Sequence, residues 1–378
     1  MEDQHLIKKV AIIGKGTVGC LSALKFSNNG YAIDWYHDPN TPALSVGEGT
    51  DLTLPAFLDD EIDLNYEKIK QLDAHYKQGI EKINWGEKPF THWFGLGRMA
   101  LHINAHKLQD YITNYLKDKV NIIEKRVEHD QIDDYIIDCS GKAPNPEDLV
   151  SAPIPVNEAY IANCPWDKPK FSKTLCIAKN FGWVFMIPLQ SRCSVGYLFN
   201  NKFCAIDEIK HEMKGVLNEH NLIANSGNSL NFSNYYRKQN FTESVSYNGN
   251  ASFFLEPLEA TSLNLSIRVI RQTLALLADD NTQLKGLHTL QNEKYEKFLS
   301  ETVDIIMLHY LVDPPVKNEF WEYANNLAEE WISNRFKTYP KIRLITNDSP
   351  LRYSTWYEKS FKQNLTGLNL YDKISKFK

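Results

Sequence analysis

The chain lacks the marks of several protein classes. Its six cysteines, Cys20, Cys139, Cys164, Cys176, Cys193 and Cys204, are scattered with no CxxC pair, which argues against a zinc site and against a disulfide framework. No signal segment leads the sequence, and together with unpaired thiols this fits a reducing cytoplasm. No apolar run approaches the ~20 residues that a membrane helix needs. Long basic runs are missing too: 42 Lys and Arg stand against 47 Asp and Glu, a formal charge of -5, so the footprint of a nucleic-acid binder is absent. There is no internal repeat, low-complexity tract or clear linker. What is present is ordinary globular composition, 43% apolar and 12% aromatic over 378 residues, enough for one large core or two smaller ones. The expected partner is a small molecule, with neither nucleic acid nor membrane; a homo-oligomer is left open.

The first motif is Gly14-Lys15-Gly16-Thr17-Val18-Gly19. It follows Lys9-Val10-Ala11-Ile12-Ile13, expected as a buried strand, and precedes a helix expected over Cys20 to Ser27. Side chains at the glycines would block a pyrophosphate, whose charge is met by unpaired N–H groups at the helix start. Gly14, Gly16, Thr17, Val18 and Gly19 are therefore candidate contacts to a dinucleotide. A second strand, Ala32 to Tyr36, should end near an acid for the ribose hydroxyls, roughly 20 residues after the glycines. Asp34 and Asp38 are the candidates, and Asp38 is preferred. A further strand-like run, Tyr135-Ile136-Ile137, ends at Asp138-Cys139-Ser140-Gly141, where Cys139 reads as packing and not as a nucleophile.

Two more segments change what this cradle implies. Lys77 lies in Tyr76-Lys77-Gln78-Gly79-Ile80-Glu81-Lys82-Ile83-Asn84-Trp85, and Glu259 in Phe254-Leu255-Glu256-Pro257-Leu258-Glu259-Ala260-Thr261. With the glycine motif these resemble the flavin-dependent halogenases of the tryptophan halogenase type. The resemblance implies an α/β (α+β) architecture, a Rossmann-like FAD fold with an interleaved substrate and helical module. FAD-binding parts fall at 1–50, 100–150 and 240–280, and substrate-binding parts at 51–99, 151–239 and 281–378. Ser45-Val46-Gly47-Glu48-Gly49-Thr50 resembles the family's strap past the flavin ring, making Val46, Gly47 and Glu48 cofactor contacts. Asp138 and Gly141 match the turn that closes over FAD, and His37 stands where the family places its ribose-binding glutamate.

In this family a buried lysine and a glutamate handle an oxidised halogen, and the residues implied here are Lys77 and Glu259, with the glutamate pointing toward the lysine. The amine either hydrogen-bonds hypohalous acid or forms a haloamine. Lys82, in the same run, is read as solvent-facing. Thr261 and Ser262 open a helix expected from about Ser262 to Leu277 and match the family's halide loop. Ser262 replaces the usual glycine there, so bromide or iodide is as expected as chloride. Trp183-Val184-Phe185-Met186-Ile187-Pro188 resembles the WxWxIP motif that keeps substrate from the flavin, with Phe185 for the second tryptophan; an aromatic strand packing the core is the plain alternative. His102, in His102-Ile103-Asn104-Ala105-His106, is assigned to the same substrate-side group, and no metal site is expected because no carboxylates accompany these histidines.

The implied activity is FAD-dependent halogenation: reduced FAD and O2 oxidise halide to hypohalous acid, which travels by way of Lys77 to an electron-rich aromatic or small-molecule carbon. No second GxGxxG stands in a βα setting, so a separate flavin reductase is the expected source of FADH2. The alternatives are a flavin monooxygenase, encouraged by Phe185, and a catalytically inactive FAD-binding protein. Only 16 residues separate Trp85 from His102, where the family carries a long substrate-covering insert. A wider pocket follows, and a free or tethered aromatic is expected in place of tryptophan.

Overall fold

The computed structural model describes residues 8–41, 47–278, 284–313, 316–338 and 358–376. Five parallel strands lie beneath the glycine turn, in the order Val245–Tyr247, Tyr135–Asp138, Lys9–Ile13, Ala32–His37, Asn121–Glu124. Val10, Ile12 and Ile137 are buried there, as a parallel sheet covered on both faces requires. The helix after the glycines runs Thr17–Asn28, longer at its start than the sequence suggested, and packs on the helices Ala105–Leu116 and Ser262–Ala278. Residues of the 51–99 segment share this core: Leu54, Phe57, Leu58, Ile62, Ile69 and Leu72 pack against it.

The second large sheet has seven strands, in the order Asn228–Asn231, Glu158–Pro165, Arg192–Phe199, Gly182–Pro188, Thr174–Lys179, Gly79–Ile83, Phe90–Trp93. Both of its faces are covered, which explains the unbroken apolar run at Gly182–Pro188. Trp183, Phe185 and Ile187 point into a core shared with the long helices Leu284–Tyr310 and Glu319–Thr338. Val184 and Met186, on alternate positions, join a second core under the helix Ile206–Glu219. The Asn-rich stretch 218–240, expected to be loop-rich, holds the end of that helix and the short strands Asn228–Asn231 and Tyr235–Arg237.

A small antiparallel sheet, Gly47–Gly49, Ala100–Asn104, His75–Lys77, lies between these parts. It sets Gly49 opposite His102 and Lys77 opposite Ala100. After Lys77 the chain passes Gln78, whose N–H donates to the Ser172 carbonyl at 3.0 Å, and enters the seven-stranded sheet at Gly79. One short segment thereby carries side chains of both sheets into the same interior.

Candidate active site

The glycine turn forms a cradle that side chains would fill. Gly14 has φ +102°, and a Cβ there would sit 2.2 Å from the Cys139 carbonyl oxygen. A Cβ at Gly19 would meet the Gly14 carbonyl oxygen at 2.1 Å, so helix and turn can close only with glycine at both. Gly16, the helix N-cap, faces open space, no side chain caps the helix and no acid occupies its first turn. Free backbone N–H groups at a positive helix end suit a diphosphate, so these residues fit FAD. Thr17 and Val18 open the helix, with the Thr17 hydroxyl accepting from Gln109 Nε2 at 3.1 Å.

The other predicted cofactor contacts surround this turn. Asp138 ends its strand, accepts the Ser140 N–H at 2.9 Å and pairs with His129 Nε2 at 2.9 Å. Burial would push its carboxyl up, but the His129 and Ser140 bonds more than offset that and hold it below the usual range. Gly141 has φ +79° and open space where a side chain would be. Asp34 is taken by Lys9 at 2.8 Å and by Asn121. Asp38 is half-buried just after Ala32–His37, and its Oδ1 accepts the Asn40 N–H at 2.8 Å. Val46 lies outside the described residues, while Gly47 and Glu48 run along Asn104 and Ile103.

Lys77 is wholly buried. Its Nζ donates to the Thr50 carbonyl oxygen at 2.8 Å, and a Cβ added at Gly49 would lie 3.7 Å from both Nζ and the Ala260 Cβ. The ring of Phe94 is centred 5.5 Å away. Burial pushes the amine down to about 8; Cys176, Glu259 and Asp51 act against this, and Lys82 acts with it. A lysine so placed exchanges between ammonium and free amine near neutral pH, as a nucleophile or proton donor requires.

Lys82 is not solvent-facing. It is fully buried and forms a tight ion pair with Glu259. The strand explains this: Lys82 shares the inward face of Gly79–Ile83 with Ile80, while Glu81 and Ile83 face the other way. That parity was legible, but a lysine among alternating residues reads equally well with the opposite face inward. Glu259 is correspondingly engaged away from Lys77. Its Oε1 meets Lys82 and lies 3.2 Å from His309 Nε2, and its Oε2 accepts from His92 Nδ1 at 2.9 Å. Burial would push this carboxyl up, but Lys82 and His92 reverse the effect and hold it well below the usual range.

His309 Nδ1 donates to the Ile305 carbonyl at 2.8 Å. Burial and the Lys82 charge favour its neutral form, which leaves the Nε2 lone pair to accept from Lys82 at 2.8 Å. Neither His92 nor His309 was singled out as a site residue from the sequence.

Glu256, the first glutamate of the motif, is buried beside this cluster. Its Oε2 accepts from Tyr310 at 2.8 Å and from Trp183 Nε1 at 3.3 Å, and burial pushes its carboxyl up to about 8 against these bonds. Trp85 stacks edge-on against Trp183, His309, Tyr310 and Trp321, closing the back of the site. Phe185 packs on the bare Gly196 backbone, where a Cβ would lie 2.3 Å from its ring. His102 is buried, bonds Thr174 Oγ1 at 2.8 Å and is pushed well down by burial and by Lys77.

Thr261 accepts the N–H of Leu265 at 2.9 Å and Ser262 begins the helix Ser262–Ala278, close to the expected span. Ala260, just before them, has φ +55°, a strained left-handed conformation for a residue with a Cβ. An open cavity of about 800 Å³ lies between Phe90–Trp93 and the helix Glu358–Gly367, lined by Phe90, Thr91, Arg98, Lys359 and Lys362. Neither Lys77 nor Glu259 lines this cavity, and both are buried. Among the described residues no cluster able to hold a metal ion occurs.

A sequence profile of the tryptophan halogenase family matches residues 9–151 and 113–376. The chain is 22% identical to tryptophan 7-halogenase RebH of Lentzea aerocolonigenes, covering 97% of this chain and 88% of that protein. It is 23% identical to tryptophan 6-halogenase ThaL of Streptomyces albogriseolus, with the same 97% and 88% coverage. Among solved structures, BrvH, a flavin-dependent halogenase from Brevundimonas sp. BAL3, superimposes with a TM-score of 0.78 at 20% identity, covering 97% of this chain and 90% of that one. Xcc4156, a flavin-dependent halogenase from Xanthomonas campestris, gives 0.80 at 18% identity, with 99% and 94% covered.

Proposed function

Because the chain belongs to the tryptophan halogenase family, we propose that it is a two-component FAD-dependent halogenase in which Lys77 delivers oxidised halogen to an electron-rich aromatic carbon. The observation that carries this reading is the Lys77 amine, buried, anchored on Thr50 and set against the side-chain-free Gly49 of the strap. Reduced FAD, brought by a separate reductase, supplies the chemistry by which O2 oxidises halide to hypohalous acid. The protein's own part is containment and delivery. Gly14, Gly16, Thr17, Val18 and Gly19 take the diphosphate, Asp38 the ribose, and Asp138, Gly141 and the strap residues Val46, Gly47 and Glu48 the rest of the cofactor. The backbone N–H groups of Thr261 and Ser262 take halide at the helix start.

Hypohalous acid reaching Lys77 reacts in one of two ways. The free amine forms an N–X bond and releases water, or the ammonium donates a hydrogen bond to the oxygen and polarises the halogen. As the ring carbon takes the halogen, the Glu259 carboxylate accepts the displaced proton. Trp183 and Phe185, with His102, wall off the passage. The six cysteines are unpaired, which fits a reducing cytoplasm, and among the described residues no helix is long and apolar enough to cross a membrane.

The test supplies the purified protein with FAD, NADH, a flavin reductase and O2, and offers indole and phenol with chloride, bromide or iodide in turn. Mass spectrometry is expected to find halogenated product with the native protein. Lys77→Ala should abolish that product while flavin oxidation continues. Hydroxylated product, or peroxide alone with every halide, would overturn the reading in favour of a monooxygenase or an inactive flavoprotein.

A further inference from the structure

A second buried lysine beside the first is a costly arrangement, since each buried ammonium must be paired or discharged. Lys77 and Lys82 solve this differently. Among the described residues Lys77 bonds a single carbonyl oxygen, whereas Lys82 holds the Glu259 carboxylate together with His309 Nε2 at 2.8 Å. Both Glu259 oxygens are occupied, Oε1 by Lys82 and Oε2 by His92. Yet Ala260, the next residue, and the Lys77 amine both flank Gly49, where an added Cβ would meet each at 3.7 Å, and the Glu259 charge reaches Lys77, so a released Glu259 has a second cation nearby.

We propose that Lys82 is the positioning residue of this centre: seated between Glu259 and His309, it holds the carboxylate off Lys77 and balances its charge. This rests on the reading of Lys77 and Glu259 as the acting pair. The groups facing Lys77 are Asp51, Lys82, His102, Cys176 and Glu259. Those facing Glu259 are Lys82, His92 and His309, with Cys176 nearby, and Glu256 lies on the Lys82 side. Among these, Glu259 is the anion whose charge is cancelled in place by an adjacent ammonium. With Lys82 removed, its whole field falls on Lys77 and favours the ammonium there. Lys82 thereby keeps the Lys77 amine available near neutral pH and keeps Glu259 an aligned carboxylate.

The experiment titrates Lys77 directly, by ζ-15N and ε-13C lysine NMR of the full chain without flavin, halide or substrate, with Lys77→Met to assign the signal. It needs no turnover, so its failure and the failure of the halogenase reading are separate events. The native midpoint is expected at about 8. Lys82→Met should raise it by a unit or more, about tenfold in the amine's proton affinity. Lys82→Met combined with Glu259→Gln should return it close to the native value, a rescue that a purely space-filling Lys82 could not give. Glu259→Gln alone, which leaves the Lys82 charge unbalanced, should lower it, and this variant decides the matter should Lys82→Met not fold. An unmoved Lys77 midpoint in folded Lys82→Met, or in Glu259→Gln, overturns the proposal.

Discussion

Lys77 and Lys82 stand on consecutive strands, at the end of His75–Lys77 and inside Gly79–Ile83, and both are fully buried. The small sheet presents Lys77 to the strap, where among the described residues it bonds the Thr50 carbonyl oxygen, and burial pushes its amine down to about 8. The large sheet presents Lys82 to Glu259, where it is fixed in an ion pair ringed by His92, His309 and the aromatic wall of Trp85. The same residue type thus becomes an amine with a lowered pKa in one place and one half of an ion pair in the other. What separates them is a carboxylate within reach, since depth is equal.

The sharpest way to break this comparison is to remove the carboxylate. Glu259→Gln strands the Lys82 charge in the interior, and a broken buried pair typically costs 3–5 kcal/mol. The variant should lose most of that in denaturant unfolding and lose halogenated product as well.

Glu256 probes the same pocket from the other side. Its folded carboxyl lies at about 8, above the ordinary 4.5, so the folded state binds this proton more tightly. Its contribution is fully present below about 4.5 and is lost as pH rises through about 8. Glu256→Gln removes that dependence, so its stability relative to the native chain should rise across this window, read as unfolding midpoints at pH 5 and pH 9.

Lys77 gives a weaker trend in stability. Its folded amine lies at about 8 against 10.5, so it costs stability below about 8, and the cost fades as pH approaches 10.5. Lys77→Met should therefore be more stable than the native chain at pH 7, by at most about 3 kcal/mol, with the gain vanishing in alkali. Product formation carries the partner signal: a pH profile that rises through about 8 marks the free amine as the reactive form, and one that falls marks the ammonium.

The smallest effect belongs to Gly49→Ala. The new Cβ meets Lys77 Nζ, the Ala260 Cβ and Ile187 Cδ1 all at 3.7 Å, ordinary contact distance. Thermal stability should change by less than ~1 kcal/mol, while narrowing beside the amine should slow product formation in the same assay. A large loss of stability would mean that the strap is more tightly packed than this.

Much of the fold was legible along the chain because local rules wrote it. After Lys9, the strand Lys9–Ile13 is apolar because a parallel strand is buried on both faces, and Gly14 and Gly19 are forced because an added Cβ would meet carbonyl oxygens at 2.2 and 2.1 Å. The helix at Ser262 followed from Thr261 and the apolar period beyond it. The 51–99 segment was harder. Its helix Thr53–Ile62 packs with the dinucleotide sheet and its strand Gly79–Ile83 joins the other, and no linker composition marks the crossing. Phe185 was weighed as a barrier or as packing, and its ring lies over the bare Gly196 backbone, a contact that no nearby sequence pattern announced.

The sequence by itself determined the glycine cradle, the strand and helix that hold it, and the two segments that carry Lys77 and Glu259, since each depends on residues close in the chain. Only the tertiary structure decided which lysine meets the carboxylate. Lys82 and His92 come from adjoining strands, Glu259 and His309 from two segments far along the chain, and a charge is buried or solvated according to what the folded neighbours leave around it.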